Sequence, residues 1–265
     1  MKFFYILFSI AFLSPMGYAQ SSTDGDKIYH ITYNVLFSGA TKDINSPTMP
    51  YQGHLITKGE NSFFCFNSTP ETYKVENKTE LHSVVIIDTL FKVVKFTSAQ
   101  EVVFEGNIGL TKRIYRDTLY PMQWAITGAK KQIGQQQCLQ ATTFFKGRSY
   151  TAWYNPEIPI FDGPWKLGGL PGLIVEAQDD EGLLKFEMAT MKSVDTLPPF
   201  AKIIDTKSIN LSRIPSYEKY IADFTKIYKT DIESHKAGSD GNCLTCPSTT
   251  KTSLTITTWE KVFNL

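Results

Sequence analysis

Two carboxylates and two thiols come nearest to reactive spacing in this chain of 265 residues. Glu157 and Asp162 flank a proline-rich stretch, and as a pair they would suit a hydrolase cutting a glycan or a peptide, one as acid and one as base. The simpler assignment pairs Glu157 with Arg148 or a backbone amide and lets Asp162 open the Asp162-Gly163-Pro164 turn. Cys243 and Cys246 form a Cys-x-x-Cys. A redox pair of that spacing normally opens a helix, whose dipole acidifies the thiol, whereas Pro247 and a run of serine and threonine follow here. A structural disulfide stapling the loop at residues 238–242 is therefore favoured, with Cys65 and Cys138 as the remaining disulfide candidates; four cysteines allow three pairings. Zinc would need two further ligands, and His235 alone is close in sequence. The other three histidines have no carboxylate or second histidine at ligand spacing, and neither a Gly-x-Ser-x-Gly elbow nor a His-Glu-x-x-His helix is present. Gly163 and Gly168 have P-loop spacing, but Gly169-Leu170 stands where Lys-Ser/Thr is required. No catalytic residue, metal or cofactor is assigned.

The elements that would carry these groups are mostly strands. From Ile28 onward Tyr29, Ile31, Tyr33, Val35 and Phe37 alternate with His30, Thr32 and Asn34, the period of a half-buried strand, which leaves His30 on a polar, solvated face. Comparable short segments recur at 51–57, 62–66, 84–87, 91–96, 102–104, 141–145, 150–154, 173–177 and 183–188. Lys58-Gly59-Glu60-Asn61 and Asp179-Asp180-Glu181-Gly182 read as hairpin connections, the second as a solvated tip. Many strands joined by short turns favour antiparallel sheet. One segment has helical period: Tyr217, Tyr220, Ile221, Phe224, Ile227 and Tyr228 share a face after Pro215 and a capping Ser216. Residues 192–214 read as a connection, and Leu254, Ile256 and Thr258 as a last strand added to the sheet. The fold expected is mainly β, a single antiparallel sheet curved into a half-barrel or bowl with one packed C-terminal helix.

At the centre lies Gly169-Leu170-Pro171-Gly172-Leu173-Ile174, six residues without a reactive group. Pro171 fixes its own φ and pushes Leu170 into an extended conformation, and the Pro-Gly pair predicts a type II turn feeding a strand. The segment before it, residues 153–165, sets prolines among Trp153, Tyr154, Phe161 and Trp165, so it can be neither helix nor central strand. Such a loop either plugs an open end of the sheet or offers its aromatic rings to a ligand. Trp153, Tyr154, Phe161 and Trp165 are the candidate ligand-binding residues.

Address and composition narrow the class. Residues 1–19 have a secretory signal's form: Lys2, an apolar stretch from Phe3, and Gly17-Tyr18-Ala19 before the expected cut. That stretch is too short to span a bilayer, and no later segment is continuously apolar, so no transmembrane segment is expected after cleavage. Residues 20–265 would form one domain, exported to the periplasm or associated with the outer membrane. A net charge of +1 with both signs interspersed leaves no footprint for nucleic acid.

The central residues resemble the GLPGLI family of exported proteins of Bacteroidota, whose activity is unassigned. The likeness runs in order through Trp124, Lys131-Gln132-Ile133-Gly134, Cys138, Ala141-Thr142, Lys146-Gly147-Arg148, Ala152-Trp153-Tyr154, Glu157-Ile158-Pro159, Gly163-Pro164 and Gly168 to Ile174. Where the family commonly has a glycine and an aromatic residue before the cysteine, this chain has Gln135-Gln136-Gln137. The resemblance implies an envelope protein, linked for some members with TonB-dependent uptake through the outer membrane, which makes an outer-membrane receptor the partner class. The missing catalytic constellation and the aromatic loop favour a non-enzymatic accessory protein that binds a ligand or a partner over a hydrolase using Glu157 and Asp162.

Overall fold

The computed structural model describes residues 27–37, 49–68, 86–87, 92–108, 111–119, 122–205, 209–227 and 256–257. The signal segment, Cys243, Cys246, His235, Tyr228 and the loop at 238–242 lie outside the described residues. Eleven strands make one antiparallel sheet. They are β1 (Ile28–Phe37), β2 (Met49–Lys58), β3 (Asn61–Ser68), β5 (Lys92–Phe96), β6 (Glu101–Ile108), β7 (Thr111–Thr118), β8 (Ala125–Ile133), β9 (Gln136–Phe145), β10 (Arg148–Asn155), β11 (Leu173–Asp179) and β12 (Leu184–Val194). Two further strands of two residues, β4 (Ile86–Ile87) and β13 (Ile256–Thr257), pair in parallel as a separate sheet. The last strand expected for the main sheet is therefore not part of it.

Across the main sheet the order is β7-β6-β5-β3-β2-β1-β12-β11-β10-β9-β8. Two meanders grow outward from a central seam, where β1 pairs with β12 from Ile28↔Val194 to Phe37↔Leu184 around a bulge after Thr32. The outermost strands, β7 and β8, are consecutive in sequence. Ten inter-strand steps would set them about 48 Å apart in a flat sheet, whereas the six residues between them reach about 25 Å. The sheet must curl. Contacts across its mouth agree: Lys146, in the β9–β10 turn, ion-pairs with Asp117 of β7 at 2.6 Å, and Thr143 donates to the Gln123 carbonyl at 2.9 Å. The result is the expected bowl, not closed into a barrel.

Alternation decides what fills it. Ile31, Tyr33 and Val35 of β1, Leu55 of β2, Phe64 of β3, Phe104 of β6 and Phe186 of β12 point into the concave side and form the main core. The helix at residues 217–227, α1, lays Tyr220 and Phe224 on that core, with the Tyr220 ring 5.3 Å from Phe104 and 5.2 Å from Tyr115. The backbone just before α1 also caps part of the β7 edge, through Arg116 N–H donating to the Pro215 carbonyl at 2.8 Å. A smaller core lies on the outer face of the N-terminal meander. There Ile56, Phe63, Val94 and Val103 are covered by Ala201 and Ile204 of the 3-10 helix at Pro199–Asp205.

That covered outer face corrects the reading of His30. It is half-buried, its Nε2 lies 2.9 Å from Nδ1 of His54, and Phe200 sits against both rings. Adjacent strands supply the second histidine that sequence spacing did not. Burial lowers both imidazole pKa values, with His54 and Lys192 adding to the effect at His30 and Lys192 adding to it at His54. The unfolded chain thus takes up protons that the folded chain refuses, so stability is present above the ordinary histidine value and is lost as pH falls through it. Denaturation midpoints measured between about pH 7.5 and 5.5 should fall with acidification, and His54→Gln should flatten that dependence.

Candidate functional site

The concave side is the natural place to look for a site, and the chain fills it with its own loop. Residues 156–171 leave β10 and return to β11 through the interior. Trp165 is fully buried, 5.9 Å from Phe145 and 6.3 Å from Tyr150 by ring centroids, and Leu167 and Leu170 are buried with it. Trp165 adopts φ +53°, an uncommon conformation for a bulky residue, sustained only where surrounding structure enforces it.

Charged groups pin this plug. Lys95 of β5 is wholly buried; its ammonium donates to Oδ1 of Asp162, to the Gly163 carbonyl at 2.8 Å and to the Leu167 carbonyl at 2.9 Å. Burial pulls the lysine pKa below its ordinary range, opposed by the charge and hydrogen bond of Asp162. Oδ1 of Asp162 also accepts from the Gly163 N–H at 2.7 Å. Burial and, secondarily, the Asp162 charge hold the Tyr33 phenol well above its ordinary pKa, so it stays a donor, to the Ile174 carbonyl at 2.7 Å. Lys166, also buried, lies over the Phe104 ring at 3.7 Å with Asp117 3.8 Å away. Trp124 adds an indole N–H to the Gly168 carbonyl at 2.9 Å.

The glycine-proline motif ends this excursion. A type II turn at Pro171-Gly172 would close a bond from the Leu173 N–H to the Leu170 carbonyl. Instead Gly172 N–H donates to the Leu170 carbonyl at 2.8 Å, a tighter turn centred on Pro171, and Leu173 N–H goes to Ile158. Gly172 has φ +144°, and a Cβ there would lie 2.1 Å from the Asn155 carbonyl oxygen. Two passes of main chain cross at this point, which explains a motif without reactive groups.

The two candidate carboxylates are placed differently. Asp162 is buried against Lys95, while Glu157 is exposed and its backbone N–H donates to the Asn155 side-chain oxygen in a local turn. Arg148 pairs with Asp179 at 3.1 Å and Glu181 at 2.6 Å rather than with Glu157. Asp179, expected at a solvated tip, is buried and also accepts from the Leu184 N–H. Cys65 and Cys138 are free, buried thiols on strands separated by five others, so they do not form a disulfide with each other; burial pushes the Cys65 thiol up to about 11.

Of the four aromatic candidates, Trp165 and Tyr154 face the core, at 0% and 2% exposure, whereas Phe161 is 46% exposed and Trp153 is half-buried. Trp165→Ala should cost about 3–5 kcal/mol of stability, the usual range for emptying a large aromatic site, while Phe161→Ala should stay within about 1 kcal/mol. Urea unfolding of the two variants checks this contrast.

Trp153 belongs to a different surface, the outer face of β8–β11. Residues directly opposite on paired strands share a face, so the register lays out three rows: Gln140, Trp153 and Glu176; Thr142, Thr151 and Gln178; Phe144 and Ser149. Lys131 of β8 donates to both Glu176 oxygens, at 3.0 and 2.8 Å, and stands 5.4 Å from the Trp153 ring centroid. The Gln140 side chain accepts from the Thr127 hydroxyl at 2.8 Å. Phe144 is 71% exposed. The sequence signalled Trp153 by its aromatic neighbours, but Gln140, Thr142, Phe144 and Gln178 join it only through strand register.

Residues 145–176 match the model of a family described as a protein of unknown function (Porph_ging). That stretch runs from the end of β9 through β10 and the plug into β11. The chain is also similar to the structure of PNGF-II, solved in C2 and P21 space groups. In each case the identity is 15%, the TM-score is 0.48, and the match covers 76% of this chain and 33% of that one. The chain thus spans about a third of the length of those structures. No curated protein matches.

Proposed function

We propose that this chain is an exported envelope protein that binds through the outer face of β8–β11 and serves as an accessory to an outer-membrane uptake receptor. The observation that carries the reading is the self-filled bowl. The rings and the acid that would have lined an interior site, Trp165, Tyr154 and Asp162, are taken up by the core and by Lys95, which leaves recognition to the outside. The N-terminal meander has its outer face covered by residues 199–205, whereas Trp153 and Phe144 of the C-terminal meander stand in an accessible row pattern. Export is supported by the form of residues 1–19, and the receptor partner by the family resemblance.

Co-sedimentation of the purified protein with outer-membrane fragments tests the reading. Trp153→Ala should weaken retention by roughly tenfold, as removal of an aromatic anchor does, measured well below the variant's own melting temperature because the indole also packs against the main core. Retention equal to that of the unsubstituted protein would overturn it.

A further inference from the structure

We infer that the outer face of β8–β11 binds a neutral carbohydrate chain, an inference that rests on the proposed use of this face for binding. Its chemistry is unusual for a sheet surface. Among the three rows and the β8 residues that share their face, the charges reduce to Lys131 and Glu176, which neutralise each other; Lys130, the other lysine of β8, stands opposite Leu139 and so on the other face. The rest are amides and hydroxyls, Gln140, Gln178, Thr142, Thr151 and Ser149, set between two aromatic rings. A pyranose has the matching character: an apolar C–H face that packs on a ring, and a rim of hydroxyls that both donate and accept, as amides and hydroxyls do.

Other occupants fit less well. A nucleic acid or an anionic membrane needs unpaired cations on the face, and Lys131 is paired. A protein partner of stable affinity buries an apolar centre rich in packed side chains, and here two rings lie apart within a polar surface. Their separation also has a scale. Phe144 lies four residues along β9 from Gln140, the row of Trp153, about 14 Å at strand rise. That spacing suits a short oligosaccharide better than a single sugar. Lys131 holds the Trp153 ring from one side through its cation–π contact while its charge is satisfied by Glu176, so the indole is positioned before a ligand arrives.

The test is calorimetric titration of the full chain with cellohexaose, maltohexaose, laminarihexaose and mannohexaose, with oligogalacturonate as the charged counterpart. The expected result is saturable binding of at least one neutral hexasaccharide, weakened roughly fivefold or more by Phe144→Ala and by Trp153→Ala. Thr151→Lys, which leaves both rings in place, should also weaken it by crowding the middle row. Binding of none of the four, binding of oligogalacturonate alone, or binding that survives loss of both rings would overturn the inference. The membrane co-sedimentation separates the two levels. If periodate treatment of the fragments leaves retention intact while Trp153→Ala abolishes it, the face binds something other than carbohydrate; if Trp153→Ala changes nothing, the binding role of the face falls as well.

Discussion

Lys95→Met lowers the unfolding free energy by about 3–5 kcal/mol, the loss expected when one member of a buried ion pair is removed and the other charge is stranded. Asp162 would remain in the interior without its cation, and the Gly163 and Leu167 carbonyls would lose their shared donor. Asp162→Asn is the milder change. Burial already favours the uncharged amine at Lys95, and a neutral amine can still donate to both carbonyls. The two variants also differ in pH response. With Asp162 neutralised, the folded state binds fewer protons at Lys95 than the unfolded chain does, so stability should climb as pH rises toward the ordinary lysine value. Urea unfolding of Asp162→Asn at about pH 7 and pH 9 reads this directly; a flat response would mean that Lys95 stays charged without its partner.

Gly172→Ala is expected to prevent folding outright. The new methyl would fall 2.1 Å from the Asn155 oxygen, 2.7 Å from its carbonyl carbon and 2.8 Å from the Pro156 Cα. All three are main-chain atoms and cannot swing aside. Unfavourable φ alone costs of order 1–3 kcal/mol, and separating two crossing backbones adds to that. Gly182→Ala is the control. It also replaces a glycine of positive φ, +69°, but at a hairpin tip with nothing within 4 Å of the added atom, so it should express and melt within about 1–2 kcal/mol of the parent. Soluble yield and thermal melting of the two variants decide the matter. A well-folded Gly172→Ala would show that the plug can thread by another route.

How far the sequence revealed this arrangement depended on burial. β1 was readable because Ile31, Tyr33 and Val35 are inside while Asn34 is outside, and α1 because Tyr220 and Phe224 recur at helical spacing on one buried face. The strands at the two edges, β7 and β8, were not. Tyr115 is the buried residue of β7 and β8 has none, so alternation left no trace in Thr-Lys-Arg-Ile-Tyr-Arg-Asp-Thr or Ala-Ile-Thr-Gly-Ala-Lys-Lys-Gln-Ile. The anchors of the plug come from distant positions; Lys95 and Asp162 are 67 residues apart. One signal was legible nonetheless. Lys95 shares the inward parity of Val93 on β5, and a lysine at a position that alternation reserves for an apolar side chain asks for a buried counter-charge. The outer rows gave even less warning, because apart from Phe144 the residues that join Trp153 there are ordinary polar strand residues until register sets them beside it.

The pairing of β1 with β12 bears on the order of events during synthesis. Ile28 meets Val194, so the strand made first waits for the strand made last in the main sheet. Until then the N-terminal meander holds one flank of β1 open, ten residues of unclaimed hydrogen-bonding groups next to apolar side chains, the kind of flank that recruits other chains. Joining so distant a pair also carries a large loop-closure entropy. The nascent protein is accordingly most vulnerable to aggregation before β12 arrives, and shielding of that flank by a holding chaperone would act at this stage.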